Sequence, residues 1–199
     1  SPNQEIKLFA EGVPAFVFAH GRWRILDVAA KYGVWRAAVP APLLARVLFQ
    51  AALDLAESRR GALLLVVPDP AAAAGRLIAA HDLLTAPAHT DTPAPASRDP
   101  LGKRALHYLA RGHSITDLDA SVLEALASLD GALAVDGAGR LLAFGAILRH
   151  ESHTRSAPPI AEGARTTAAL VASHHGPVLK VSEDGIISCF LAGRRVWDL

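Results

Sequence analysis

Three short clusters in the C-terminal part of this chain carry side chains able to bind a charged ligand. In Asp130-Gly131-Ala132 a carboxylate stands between the end of an expected helix and the start of an apolar strand. Such a carboxylate can bind a metal ion or accept a proton from a sugar hydroxyl, and its small neighbours leave room for a ligand. A plain helix-terminating turn would read the same way. In Gly163-Ala164-Arg165-Thr166-Thr167 an expected helix begins. Its first backbone N–H groups, two hydroxyls and a guanidinium suit a phosphate, although a Thr-rich helix start with a solvated arginine shares the pattern. Ser182-Glu183 closes an expected strand beside Asp184-Gly185. Glu183 there could hold Mg²⁺ or Mn²⁺ on a nucleotide, or belong to an ordinary hairpin.

These clusters need elements to position them. The segments DGALAV (130–135), LLAFGAIL (141–148), PVLKVS (177–182) and EDGIISCF (183–190) read as strands and turns. EGARTTAALVASHHG (162–176) reads as a helix. Asp136-Gly137-Ala138 repeats the first tripeptide between two strands, where a hairpin turn is expected. Upstream, LLARVLFQAALDLAESRR (43–60) has helical periodicity, with Arg59 and Arg60 suited to the helix dipole and Gly61 to its stop. ALLLVV (62–67) follows as a strand buried on both faces. Helices are also expected over 71–84, 103–113 and 118–129, the last capped by Ser114 or Asp117. Residues 14–28 read as a hairpin with Trp23 and Ile25 on one face and Arg22 and Arg24 on the other. AAKYGVW (29–35) is ambiguous, and the Pro-rich stretch 85–100 reads as a loop. The order of elements predicts an α/β fold, a central mixed sheet flanked by helices.

Composition removes several classes. The 199 residues fit one domain, and 51% hydrophobic content with only 6% aromatic content reflects abundant alanine. A net charge of +1 lacks the basic face of a nucleic-acid-polymer binder. No apolar run reaches membrane-spanning length. The single cysteine, Cys189, excludes an internal disulfide framework, agrees with a reducing cytoplasm, and is expected to be a buried, inert thiol. The absence of methionine is expected of a piece of a longer protein. His150 and His153 miss the spacing of a helical zinc pair and read as a polar loop, while His174 and His175 suit a helix C-terminus. No GxGxxG, Walker A or GxSxG sequence occurs.

In combination, three segments resemble the diadenylate cyclase domain, particularly the DNA-integrity-scanning (DisA) type. SRRGALLLVV (58–67) is similar to the family's helix end and first core strand. LEALASLDGALAV (123–135) is similar to the approach to its Asp-Gly-Ala motif, and AEGARTTAALVASHHGPVLKVSEDGIISCF (161–190) to its second motif, helix and Ser-Glu strand. The resemblance covers 58–67 and 114–193. It implies a nucleotide-binding core over 58–199, with 85–100 as an insertion and 1–57 as a supporting hairpin and helix. Family members join two ATP molecules across a homodimer, giving cyclic di-AMP and pyrophosphate. By that resemblance Asp130 activates the attacking hydroxyl or holds the metal, Glu183 assists the metal, and Arg165 grips phosphate. Gly131, Ala132, Gly163, Ala164, Thr166, Thr167 and Ser182 would surround the nucleotide.

The departures fall on the charged motif. Where the family has Gly-Thr-Arg-His-Arg, this chain has Gly163-Ala164-Arg165-Thr166-Thr167, and Leu129 stands where some members have a metal-binding histidine. Losing one group that stabilises developing negative charge commonly lowers a rate by about 10²–10³. A sensor domain that binds ATP or a cyclic dinucleotide, with Mg²⁺ or Mn²⁺ and in a homo-oligomer, is therefore the expectation. An active cyclase and a non-binding assembly module are the alternatives.

Overall fold

A computed structural model describes residues 6–10, 13–19, 22–84, 103–149 and 163–199. The Pro-rich stretch 85–100, and His150 and His153, lie outside the described residues. Strands β1 (Ile6–Ala10), β2 (Val13–Ala19) and β3 (Arg22–Leu26) form an antiparallel sheet of their own. The stretch 29–35, ambiguous in the sequence, belongs to helix α1 (Val28–Ala38), which starts where the Asp27 carboxylate accepts from the Ala30 N–H. Trp35 of α1 is fully buried, and its indole N–H donates to the Ala45 carbonyl at 2.9 Å. That bond ties α1 to α2 (Pro42–Glu57).

Helix α2 buries Leu44, Ala45, Leu48, Phe49, Ala51, Ala52 and Leu55, the stripe its periodicity implies. Each fully buried leucine there contributes about 1.5–3 kcal/mol. The helix stops before Gly61. Ser58 is its C-cap, the Ser58 hydroxyl donates to the Asp54 carbonyl at 2.8 Å, and Arg59 takes the left-handed turn at φ 55°. Gly61 is thus not the helix stop expected from the sequence.

The second sheet has six strands: β4 (Ala62–Val67), β5 (Ala132–Asp136), β6 (Leu141–Ala146), β7 (Val178–Val181), β8 (Ile187–Leu191) and β9 (Arg194–Asp198). Their order is β6-β5-β4-β7-β8-β9, with β4 and β5 parallel and every other pair antiparallel. The mixed α/β architecture expected from the sequence is the one observed; β9 was not foreseen. Alternate residues of β4 enter two separate buried clusters. Ala62, Leu64 and Val66 pack with α1, α2 and α5 (Ala120–Ala127), whereas Leu63, Leu65 and Val67 pack with α6 (Ala164–Ala172) and the segment around Leu77 and Ile78. Helices therefore cover both sheet faces.

Two helical expectations need correction. The helix expected over 71–84 is only α3 (Pro70–Ala73), because Gly75 turns the chain at φ 77°; a short 3₁₀ turn, Ala80–Asp82, follows. Helix α4 (Lys103–Ala110) forms as expected. The cap of α5 is Asp119, whose carboxylate accepts from the Ser121 N–H at 2.9 Å. Ser114 instead caps the 3₁₀ turn Ile115–Asp117. Asp119 lies directly before the first helical residue, so its oxygen reaches the open N–H groups that Ser114 and Asp117 cannot.

Asp136 fastens the β5–β6 hairpin. Its side chain is 6% exposed and accepts from the Ala138 N–H (2.9 Å), the Arg140 N–H (2.9 Å) and Arg140 Nε (2.8 Å). Burial pushes the carboxyl's pKa up, but these bonds and the Arg140 charge outweigh it and hold it below the usual carboxylate range. A depressed folded pKa gives stability that is present above the unfolded value of about 3.9 and lost as pH falls through the folded one. Asp136→Ala is expected to lower unfolding free energy by about 1–3 kcal/mol at pH 7. In denaturant titrations the gap from wild type should narrow as pH falls below about 4.

Candidate functional site

A cleft of about 550 Å³ opens at one edge of the six-stranded sheet, on the face covered by α6. It is lined by Leu63, Asp130, Gly131, Ala132, Ala146, Ile147, Leu148, Ala164, Arg165, Thr167 and Ala168. The register explains why these segments meet. Ala132 of β5 lies opposite Ala146 of β6, and Ala62 of β4 lies opposite Val181 of β7. The amino ends of β4 and β5 thus stand beside the carboxyl ends of β6 and β7. Parallel α/β sheets usually hold ligands at strand carboxyl ends. The antiparallel flanks supply such ends at the opposite edge of this sheet.

Asp130 is exposed and follows the last turn of α5. The Arg60 guanidinium donates to the Ser128 hydroxyl, which joins the entry to β4 to the exit of α5. Arg60 therefore does more than face a helix dipole. After Asp130 the chain passes through Gly131 at φ 112°. A Cβ there would lie 2.5 Å from the Gly145 carbonyl carbon and 2.7 Å from the Ala146 nitrogen, both backbone atoms. Conformation and space each require glycine. The two Asp-Gly-Ala tripeptides thus part company: Asp136 is consumed by its hairpin, and Asp130 faces the cleft.

Arg165 comes from the first turn of α6 and lies over Gly61, where a Cβ would meet Nη1 at 2.2 Å and Cζ at 3.0 Å. Its Nη1 is 3.7 Å from Glu183 Oε1, in the turn after β7. This pair is solvent-facing, with side chains 36% and 77% exposed, and such pairs contribute about 0–1 kcal/mol. It orients the guanidinium more than it stabilises the fold.

The other expected contacts separate. Thr167 and Ala164 line the cleft, and Gly163 is the exposed N-cap of α6. Thr166 is buried and is not among the cleft-lining residues; its hydroxyl oxygen accepts from Lys180 Nζ at 3.0 Å. One helical residue advances the side chain by about 100°, so Thr166 turns inward where Arg165 and Thr167 turn out. The Ser182 hydroxyl donates to Asp184 and sits 3.0 Å from the Ile186 carbonyl, so its own turn engages it. Cys189 is fully buried and burial pushes its thiol up to about 12, which leaves it protonated and inert.

Sequence reasoning missed the seat that Gly61 makes for Arg165, the apolar wall of Ile147 and Leu148, and Lys180 beneath α6. Only the glycine had a signal, the Gly-Ala-Leu step at the start of β4. Among the described residues no three His, Cys, Asp or Glu side chains gather as a metal-holding group, and no helix is long and apolar enough to cross a membrane.

No protein-family model matches the chain, and neither does any curated protein. Solved structures similar to it include the following two. One is a hypothetical membrane spanning protein from Bacillus cereus, 22% identical over 75% of this chain and 60% of that one, with a TM-score of 0.46. The other is the diadenylate cyclase DacA from Staphylococcus aureus, a double mutant, 20% identical over 79% of this chain and 86% of that one, also at 0.46. This chain spans 60% of the first structure's length. What the cleft can bind is decided by its own residues.

Two glycine substitutions separate fold from site. Gly131→Ala meets rigid backbone at a positive φ and is expected to cost about 1–3 kcal/mol, lowering Tm by several degrees. Gly61→Ala meets only the mobile end of Arg165, so Tm should change by about 2 °C or less while the guanidinium leaves its seat. Thermal unfolding checks both, and the NMR shift of Arg165 Nε reports the displacement.

Proposed function

We propose that this domain binds a nucleotide, ATP or a cyclic dinucleotide, as a sensor and without efficient turnover. The supporting observation is that Asp130 and Arg165, 35 positions apart in the sequence, line the same cleft as Gly131, Ala132, Ala164 and Thr167. About 550 Å³ lies within the usual range of small-molecule sites, roughly 300–1,000 Å³. Phosphates would lie against Arg165 and the first turn of α6, where a guanidinium and a positive helix end favour anions. The apolar wall of Ile147, Leu148 and Ala168 would take the flatter part of the ligand.

Mg²⁺ and Mn²⁺ commonly bind through one or two carboxylates and the substrate's own phosphates. Asp130 fits that donor set. Glu183, engaged by Arg165 in this structure, fits it less well. A bound divalent ion would supply charge neutralisation beside the phosphates. The chain's own part is to orient: Asp130 faces the cleft, Arg165 stands at the mouth of α6, and the close Gly131–Gly145 approach fixes their floor. With one guanidinium already paired to a carboxylate, stabilisation of developing charge is weak, which favours binding over catalysis. Self-association and a cytoplasmic setting belong to the same proposal.

Isothermal calorimetry with ATP and with cyclic di-AMP, with and without Mn²⁺, is expected to show saturable binding. Arg165→Ala should weaken it by about 10-fold or more. No heat and no thermal shift with any nucleotide would remove the proposal. Mass spectrometry after incubation with ATP and Mn²⁺ should find no dinucleotide product. A product that vanishes in Asp130→Asn would make the domain an active cyclase instead.

A further inference from the structure

On the sheet face away from the cleft, α2 and α5 leave between them a groove of about 340 Å³. Its floor is apolar. Ala51, Ile115 and Leu123 belong to the buried cluster on that face, and Val47 and Leu118 are half-buried against it. Leu43 extends the apolar strip: it stands one turn before Val47 on the same stripe of α2 and is 48% exposed. A helix face that meets only water is normally polar along such a stripe.

The charges on the rim are separated by sign. Arg46 lies toward one end of the groove, and Asp54 and Glu124 toward the other. Helix geometry sets this spacing, since Arg46 and Asp54 are eight residues apart on α2, about 12 Å along its axis. Helices α2 and α5 run the same way, each leading into one of the parallel strands β4 and β5. Asp54 and Glu124 each stand four residues before the C-cap of their helix, Ser58 and Ser128, and the Arg60–Ser128 bond ties those two ends together. The two carboxylates are therefore level with each other. Gln50, midway along the groove, donates from Nε2 to Asp54 Oδ1 at 2.8 Å. Among the described residues neither Arg46 nor Glu124 has an ion-pair partner.

A two-fold axis through the middle of such a groove reverses its direction. It sets Arg46 of one protomer against Asp54 and Glu124 of its partner, does so twice, and turns the two apolar floors toward each other. That self-complementarity is what an isologous contact requires, with residue i meeting j and j meeting i. We infer that this groove is a contact surface between two copies of this chain, α2 and α5 of one lying antiparallel on those of the other. The lining is smaller than the roughly 20–30 residues a side of a standard interface, so the dimer is weak and reversible. The cleft lies on the other sheet face, so both clefts stay open and the inference stands apart from nucleotide binding.

Sedimentation velocity over a concentration series, without nucleotide and at low and high salt, tests it. Wild type is expected to pass from monomer to dimer as concentration rises through the micromolar range, and to shift back toward monomer in high salt. Arg46→Glu, and in a second variant Asp54→Lys with Glu124→Lys, set like charges against each other. Each variant alone should weaken the dimer about 10-fold or more. Mixed in equal amounts, the two variants form both contacts with opposite signs, and the dimer should return. Circular dichroism melts identify a variant that has lost its fold. In that event Gln50→Cys decides, because the native Cys189 thiol is buried: a short bis-maleimide should link two copies at the groove's midpoint in low salt and far less in high salt. Wild type that stays monomeric in low salt overturns the inference, as does a Gln50→Cys variant that is not cross-linked. A dimer that folded charge-reversed variants leave intact overturns it too, and so do reversed variants that fail to recover on mixing.

Discussion

The placement of Arg165 depends on how α6 sits on the sheet, which it meets through small residues of its own. Ala169 and Ala172 of the helix share a buried cluster with Leu63 and Leu65 of β4, Val178 of β7 and Phe190 of β8, the strands that the helix contacts. Side chains this short let a helix approach a sheet closely, and close packing is felt at the level of a single methylene. The same economy appears at the rim. Gly131 lets the chain before β5 touch the end of β6, and Gly61 leaves a seat for the Arg165 guanidinium. A larger residue at either point would move a charge, not merely fill a gap.

That geometry sets a charge balance. Arg165 and Glu183 are paired beside the start of β4, and Asp130 faces the cleft from the next strand over. Such an arrangement suits a ligand that brings both negative phosphate and, through a carried divalent ion, positive charge for Asp130. It suits transition-state stabilisation less, because that requires donors aimed at developing charge and not already engaged. Binding and catalysis therefore make different demands on the same residues, and the residues present meet the first better than the second.

Much of this was legible in the chain. The apolar run 62–67 gave a central strand, the stripe from Leu44 to Leu55 gave α2, and Asp136 in its hairpin followed from strand spacing. The placement of Asp130 beside Arg165 was expected only through the family resemblance. Side-chain direction was not legible. Thr166 and Thr167 are adjacent and alike, yet one is buried against Lys180 and the other lines the cleft, since this depends on helix rotation over the sheet. Gly61 looked like a helix stop because a C-terminal glycine is common; Arg59 adopted the left-handed turn instead. The helix expected at 71–84 failed for a local reason, the positive φ of Gly75.

The central claim is that Asp130 and Arg165 act on one and the same ligand. A double-mutant cycle on Mn²⁺–ATP affinity, with Asp130→Asn, Arg165→Ala and the pair, tests it most directly. The account predicts an interaction energy above about 0.5 kcal/mol, as expected for groups that share a partner. Strict additivity of the two single losses would contradict it.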